Sequence, residues 1–194
     1  IPFYTHTAMR IVASRESEAN DAPSCELYPI IFHDSIFSDQ GQDPDNPDAN
    51  TLIDAYQGAG TGGFGWLAWN PANNDPDYIY EEMINPRLSI HDFTDPTNTS
   101  DHTLNRFDNV ATAPGTMISS DVDSELKALE GRTIRVPVYH VSGGTGNGVY
   151  YTIRHFAVIK IDLACLPSQG CTEVSGSDKL IRATFLRYED DACQ

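Results

Sequence analysis

Clusters of carboxylate and amide side chains are the residues of this sequence with the clearest chemical potential. Hard oxygen ligands spaced by one or two residues suit Ca²⁺, which takes about six to eight oxygens. Two acidic stretches have this spacing and supply the candidate ligands Asp43, Asp45, Asp48, Asn50, Asp92 and Asp95. Residues 43–54 do not match an EF-hand, because Pro47 interrupts the pattern and Asp48 stands where glycine is required. A calcium site and solvated turns both remain open, since Asp, Asn and Pro are common turn residues.

Other catalytic or ligand patterns are sparse. The sequence contains neither the HExxH metal motif nor the GxSxG nucleophile motif, so no motif supports an enzymatic activity. His140 and His155 fall on two predicted neighbouring strands and can approach each other, although a histidine on a strand is more often structural. A secreted hydrolase that uses a carboxylate pair or a His–Asp pair is the weaker alternative.

The composition limits the classes of partner. The 194 residues carry a formal net charge of −16 and 40% hydrophobic residues, which indicates a globular chain rather than a disordered one. An acidic protein repels phosphate backbones, so nucleic acid is an unfavourable partner. The most apolar run is interrupted by Lys160 and Asp162 and is too short to span a membrane. The start IPFYTHT is typical of a processed or truncated N-terminus, and if it is processed, export is the usual reason.

The four cysteines indicate disulfides and an oxidising compartment. We predict a Cys165–Cys171 bond around a short Pro/Gly loop and a Cys25–Cys193 bond that fastens the C-terminus. Free buried thiols are the alternative, whereas zinc is disfavoured because the sequence has no CxxC spacing. Asn98 begins an Asn-Thr-Ser glycosylation sequon. Together these features favour a secreted protein.

The N-terminal segment has the pattern of a free strand. Residues 1–14 alternate apolar side chains at period two, and the polar residues 15–24 that follow are typical of a linker. An apolar strand on a linker pairs either with the sheet of its own chain or with that of a neighbouring subunit. If the strand pairs with a neighbouring subunit, we expect the contacts with that subunit to come from Ile1, Phe3, Met9 and Ile11. Residues 25–194 then form a single globular domain.

The remaining pattern predicts an α+β fold with an antiparallel β-sheet core, two or three short helices and long acidic loops. Strands are predicted over 26–37, 133–141, 149–163 and 179–189, and helices over 51–57, 75–86 and 120–131, with Ser120 as the N-cap of the last. The stretch SGGTGNG (142–148) joins two strands, which favours a hairpin loop over a phosphate-binding loop.

The stretch GGFGWLAWNP (62–71) contains both tryptophans of the chain. In a short strand Phe64 and Trp66 share one face, so we expect both to be buried and Trp69 to lie near a rim. A structural core is the main interpretation, and an aromatic platform for a ligand, with Trp69 as the contact, is the alternative.

Five segments in order resemble the C-terminal globular region of TadG-like proteins, a group associated with Tad (Flp) pilus assembly. They are YPIIFHDSIF (28–37), GGFGWLAW (62–69), ATAPGTM (111–117), GRTIRVPVYHV (131–141) and YTIRHFAVIKI (151–161). The resemblance covers roughly residues 26–189. His155 departs from it, since the family has glycine there, and a free apolar strand stands where the family has a membrane anchor.

The resemblance implies an exported, non-enzymatic role in surface appendages and carries no catalytic residues. Combined with the leading strand, it predicts a subunit of an extracellular filament that assembles with copies of itself through residues 1–14. The alternative of a different class is a monomeric binding module, with loops ordered by calcium and an aromatic patch for a glycan or a cell-surface ligand.

Overall fold

The computed structural model describes residues 26–57, 63–73, 76–87, 89–113, 119–166, 168, 170–174 and 178–192. The predicted N-terminal strand (1–14), the linker (15–24), Cys25 and Cys193 lie outside the described residues. The fold is α+β, as expected: a seven-stranded sheet with short helices.

The strands of the described chain are β1 (Ile30–His33), β2 (Leu52–Gln57), β3 (Gly63–Ala68), β4 (Asn109–Thr112), β5 (Thr133–Gly143), β6 (Tyr150–Cys165) and β7 (Leu180–Glu189). The α-helices are α1 (Ser35–Ser38), α2 (Pro76–Ile84) and α3 (Ser120–Ala128), and short 3₁₀ turns cover Ser89–Asp92 and Gly146–Gly148.

The strand pairings close on themselves. In the order β1-β5-β6-β7-β2-β3, each strand pairs with the next and β3 pairs back with β1, while β4 joins β3 to β6. Closure of a sheet removes exposed strand edges. The pairings β1–β5 and β2–β3 are parallel, so the prediction of an antiparallel sheet core is wrong for these two pairs.

The predicted hairpin at 142–148 is confirmed, because β5 and β6 form a long antiparallel pair. Gly144 lies at its tip with φ +80°, and a Cβ there would come within 1.9 Å of the Gly148 carbonyl oxygen. Only glycine fits this turn without a clash. The register of β5 against β6 shifts between Val138 and Tyr139 and again between Tyr139 and Val141. These bulges matter for the site described below.

The predicted helix over 51–57 is wrong, because this segment is strand β2. Ile53 and Ala55 are buried between more exposed neighbours, and the segment pairs with β7. This alternation has the period of a strand with one covered face. Strand β4 lies in a stretch for which we expected no element.

The two other predicted helices are confirmed as α2 and α3. The N-cap of α3 is Ser119 rather than Ser120, since the Ser119 hydroxyl accepts from the Val122 N–H at 3.4 Å. Each helix has nine residues. In the part of the chain that the structure describes, no helix is long and apolar enough to cross a membrane.

Two apolar clusters cover opposite faces of the sheet. The larger one takes Phe64 and Trp66 from β3 together with the apolar faces of α2 and α3. The second takes Leu67 and Trp69 together with side chains from residues 90–104. The prediction that Phe64 and Trp66 are buried is confirmed. The prediction of a rim position for Trp69 is wrong: Trp69 is 0% exposed, because the long loop after α2 packs over it.

The predicted Cys165–Cys171 disulfide is present, with the two Cα atoms 5.2 Å apart. It fastens the end of β6 to the loop that leads towards β7. Because the two cysteines are only six positions apart in the sequence, the bond restrains this loop rather than linking distant parts of the fold.

Candidate functional site

A group of polar side chains meets where β1 ends beside the bulge of β5. Asp34 directly follows β1, and its N–H donates to the Tyr139 carbonyl oxygen at 2.9 Å. The buried Asp34 carboxylate accepts from His140 Nδ1 at 2.7 Å and from Arg154 Nη1 at 2.6 Å, both at Oδ2. The bulge places His140 and Val141 on the surface although they are consecutive. A bulge that re-aims a side chain in this way is a common feature of functional edges.

Arg154 links this carboxylate to the first acidic loop. Its Nη2 donates to Asp45 Oδ2 at 2.6 Å, and His155 Nε2 lies 3.1 Å from Asp45 Oδ1. Hydrogen bonds from His155 and Arg154 hold the pKa of Asp45 below its ordinary value. We call Asp34, Asp45, His140, Arg154 and His155 the Asp34 network.

Aromatic packing fixes the buried end of the network. His155 stacks on Tyr188, with ring centroids 4.2 Å apart, and the Tyr188 hydroxyl donates to the Pro44 carbonyl oxygen at 2.8 Å. Burial lowers the pKa of His155, so its ring is neutral at pH 7. The acidic loop is thereby attached to β6 and β7 at two adjacent residues.

His33 completes the polar surroundings of Asp34. Its Nδ1 accepts from the Ser35 N–H at 3.0 Å, and its ring packs edge-on against Tyr139 with centroids 4.9 Å apart. Burial lowers the pKa of His33. A neutral ring with Nδ1 as acceptor fits this arrangement.

A surface pocket of about 190 Å³ lies next to the Asp34 network. We call its lining the Phe107 surface: Phe107, His140, Val141, Thr152, Ile153 and Arg154. Phe107 is 69% exposed and Val141 is 53% exposed. Two wall residues, His140 and Arg154, are held from behind by the same carboxylate oxygen of Asp34. The wall is therefore fixed before any ligand arrives.

The turn that carries Phe107 is held in an unfavourable backbone conformation. Phe107 has φ +76°, which is rare for a bulky residue. Its N–H donates to the Ile153 carbonyl oxygen at 2.7 Å, and the Ile153 N–H donates to the Asp108 carbonyl oxygen at 3.0 Å. Arg106 Nε donates to the Arg154 carbonyl oxygen at 2.8 Å. Strain of this kind persists where surrounding contacts enforce it, and it clusters at functional sites.

The arrangement suits binding by contact. An exposed aromatic ring on a hydrogen-bonded turn beside a preformed pocket is the geometry of an interface anchor, because little backbone freedom is lost when a partner docks. Single exposed apolar residues are ordinary, but two that border one pocket form a patch. The Phe107 surface is therefore the candidate binding site of the described chain.

The predicted calcium ligands are not brought together as a centre. Within the described ranges, no group of three or more His, Cys, Asp or Glu residues is placed to hold a metal ion. Asp43 Oδ1 accepts from the Asp45 N–H at 3.0 Å, and the Asp48 N–H donates to Gln42 Oε1 at 3.0 Å. Asn50 adopts φ +68°. In the first acidic loop, these groups therefore stabilise the turns.

In the second acidic loop, Asp95 has the same role. Its Oδ1 accepts from the N–H groups of Thr97 and Asn98 at 2.6 and 3.0 Å, and its Oδ2 from the Asn109 N–H at 3.1 Å. Although burial acts to raise it, these hydrogen bonds hold the pKa of Asp95 below its ordinary value. Asp92 Oδ2 accepts from Asn73 at 3.4 Å. Calcium binding stays a prediction.

His140 and His155, which we expected to approach each other, are connected through other residues of the Asp34 network. Each ring contacts a different carboxylate, Asp34 or Asp45, and Arg154 lies between them. Asn98 of the predicted sequon is exposed. Sequence reasoning missed Asp34, Arg154 and Phe107. For Asp34 and Arg154 the available signal was a charged residue after or within an apolar strand pattern, which is too common to single them out.

Comparison of the chain with protein-family models, with curated proteins and with solved structures finds no match. The TadG-like resemblance therefore stays a prediction. Its segments GGFGWLAW, GRTIRVPVYHV and YTIRHFAVIKI contribute β3, β5 and β6, so they belong mainly to the sheet and its two clusters.

Proposed function

We propose that this chain is an exported, non-enzymatic structural protein, the subunit of an extracellular filament or pilus-like appendage, which acts by binding neighbouring copies. The observation that carries the proposal is the Phe107 surface, where an exposed aromatic ring in a strained, hydrogen-bonded turn stands beside a preformed pocket. Keeping Phe107 in this conformation costs stability. Such a cost is expected where the side chain contacts a partner.

The Asp34 network supports the same role. Buried charged groups specify geometry more than they add stability. Here the network fixes His140 and Arg154 at the pocket wall through a single carboxylate. A surface whose wall is fixed in advance binds with a smaller loss of side-chain freedom.

Export is supported by the disulfide. The Cys165–Cys171 bond persists in oxidising surroundings, which are typical of secreted and cell-surface proteins. The charge of −16 keeps an exported chain soluble at high concentration, so association requires a specific apolar contact.

Sedimentation velocity of the full chain over a range of concentrations tests the proposal. We expect species larger than the monomer to increase with concentration. A matched variant with Phe3→Asp and Ile11→Asp should stay monomeric, because its predicted contact strand is no longer apolar. A wild-type chain that remains monomeric at every concentration contradicts the proposal.

A hydrolase that uses a His–Asp pair is the second candidate function, favoured by the Asp34–His140 contact. Donation from His140 Nδ1 to the buried carboxylate leaves Nε2 of this exposed ring as a proton acceptor. Ester and glycoside substrates, assayed with the wild type and with His140→Gln, test it. Turnover that the substitution abolishes would favour the enzyme, and equal background rates would reject it.

A further inference from the structure

We propose that the pocket of the Phe107 surface receives the apolar face of residues 1–14 from a second copy of the chain. This inference rests on the proposed function, because it names the partner of the same surface. The receiving groups are the exposed Phe107 and Val141 and the pocket of about 190 Å³ between β5, β6 and the Phe107 turn.

The end of β5 offers backbone as well as side chains. Among the described residues, the pairing of β5 with β1 ends where His33 opposes Tyr139, whereas β5 continues to Gly143. A strand added on this side extends the sheet next to Val141. Strand addition obtains affinity from main-chain hydrogen bonds and specificity from pockets that take alternate side chains.

The apolar pattern of the N-terminal segment fits the pocket and the free end of β5. Ile1, Phe3, Met9 and Ile11 share one face of an extended chain, and side chains two residues apart are about 6.5–7 Å apart along a strand. One apolar side chain can enter the pocket while the next lies over Val141 or Phe107. Phe3 is the largest of these side chains, so we assign it to the pocket.

The charges allow the contact. Arg10 is the one residue of the segment charged at pH 7 when histidine is neutral. At the receiving surface, the positive charge of Arg154 is offset by Asp34 and Asp45, and the guanidinium of Arg106 lies 5.3 Å from the centroid of the Phe107 ring. Arg10 is attracted by the net charge of −16 on the receiving chain.

The linker is long enough to reach another copy. Residues 15–24 span at most about 33–36 Å when fully extended. The same length reaches the pocket of its own chain: Leu27 bridges Arg135, and Val141 lies about 20 Å further along β5 at strand spacing. The experiment must therefore separate docking on a second copy from docking within one chain.

The first measurement compares Val141→Asp with Leu52→Asp in the full chain. Leu52 is 51% exposed, close to the 53% of Val141, but lies on β2, outside the Phe107 surface. Light scattering after size exclusion should show association weakened at least about tenfold by Val141→Asp and unchanged by Leu52→Asp. Because both side chains are exposed, both variants should melt within a few degrees of the wild type.

The decisive measurement mixes two damaged chains. Val141→Asp keeps an intact segment and a blocked pocket, while Phe3→Asp keeps an intact pocket and a damaged segment. Neither should assemble alone, and the mixture should form a one-to-one heterodimer, since one good contact remains. Phe3→Asp changes no described residue, and a melting temperature of Val141→Asp close to that of the wild type shows that its fold is intact.

The outcomes separate this inference from the proposed function. A wild-type chain that assembles while Val141→Asp assembles equally well overturns the pocket assignment and leaves the filament proposal standing. A wild-type chain that assembles while the mixture forms no heterodimer overturns docking of residues 1–14 in the pocket of a second copy. A wild-type chain that never assembles overturns both.

Discussion

Replacing Trp69 with alanine is the sharpest test of the packing described above. From the sequence, Trp69 is the tryptophan most accessible to a ligand; in the structure it is 0% exposed and packs with Phe93 and Leu104. If the loop after α2 covers it, Trp69→Ala must destabilise the fold. If Trp69 is part of a ligand platform, the substitution should leave stability almost unchanged.

The size of the effect follows from two terms. Truncation of a buried tryptophan to alanine costs about 3–5 kcal/mol through lost contacts and the cavity left behind. The indole N–H of Trp69 has no hydrogen-bond partner in the part of the chain that the structure describes, and an unpaired buried donor costs about 1–3 kcal/mol. Removing it offsets part of the loss, so we expect a decrease of about 3 kcal/mol in the free energy of unfolding.

Urea unfolding followed by far-ultraviolet circular dichroism measures this change without using tryptophan fluorescence. Trp69→Phe keeps most of the apolar contact and removes the unpaired N–H, so it should cost under about 1.5 kcal/mol. Leu52→Ala, at an exposed site, should stay within about 0.5 kcal/mol. A loss below about 1 kcal/mol for Trp69→Ala refutes the idea that the loop buries this ring.

Three further predictions concern the site and the loops. Phe107→Gly removes the strain of the left-handed backbone conformation, which is worth about 1–2 kcal/mol for a non-glycine residue. The variant should therefore be at least as stable as the wild type but should assemble less. A stable variant that assembles normally contradicts the proposed interface. Burial lowers the pKa of His155 and of His33 from 6.5. Below pH 6.5 the unfolded chain therefore binds more protons than the folded chain, so the free energy of unfolding should fall as the pH drops from 7 to 5. The fall should be smaller for His155→Gln, and equal slopes of melting temperature against pH would contradict this assignment. If the first acidic loop holds Ca²⁺, isothermal titration should show binding to the wild type that Asp43→Asn weakens. The absence of a heat change with both the wild type and this variant rejects the calcium prediction.

The sheet could be predicted where the sequence repeats one pattern over many residues. Strands β5, β6 and β7 carry long runs of β-branched and aromatic residues, and Gly131 lies shortly after the last residue of α3, Ala128. The helix prediction for residues 51–57 is wrong because seven residues contain too few periods to distinguish a strand from a helix. The segment forms a strand because it pairs with β7, which lies far along the chain.

The candidate site depends on contacts that no local pattern records. Asp34 and Arg154 are 120 residues apart, and Asp45 and His155 are 110 residues apart. The exposure of Phe107 follows from a turn held by Ile153, again from a distant strand. The sequence predicted that His140 and His155 can approach each other, but the fold determines which carboxylate each one meets.

Negative-stain electron microscopy of the full chain at high concentration tests assembly through the N-terminal segment. We expect filaments or short oligomers that disappear when a synthetic peptide of residues 1–14 is added in excess, because the peptide occupies the pocket of each copy. Single particles of monomer size at every concentration, or filaments that the peptide leaves unchanged, would contradict it.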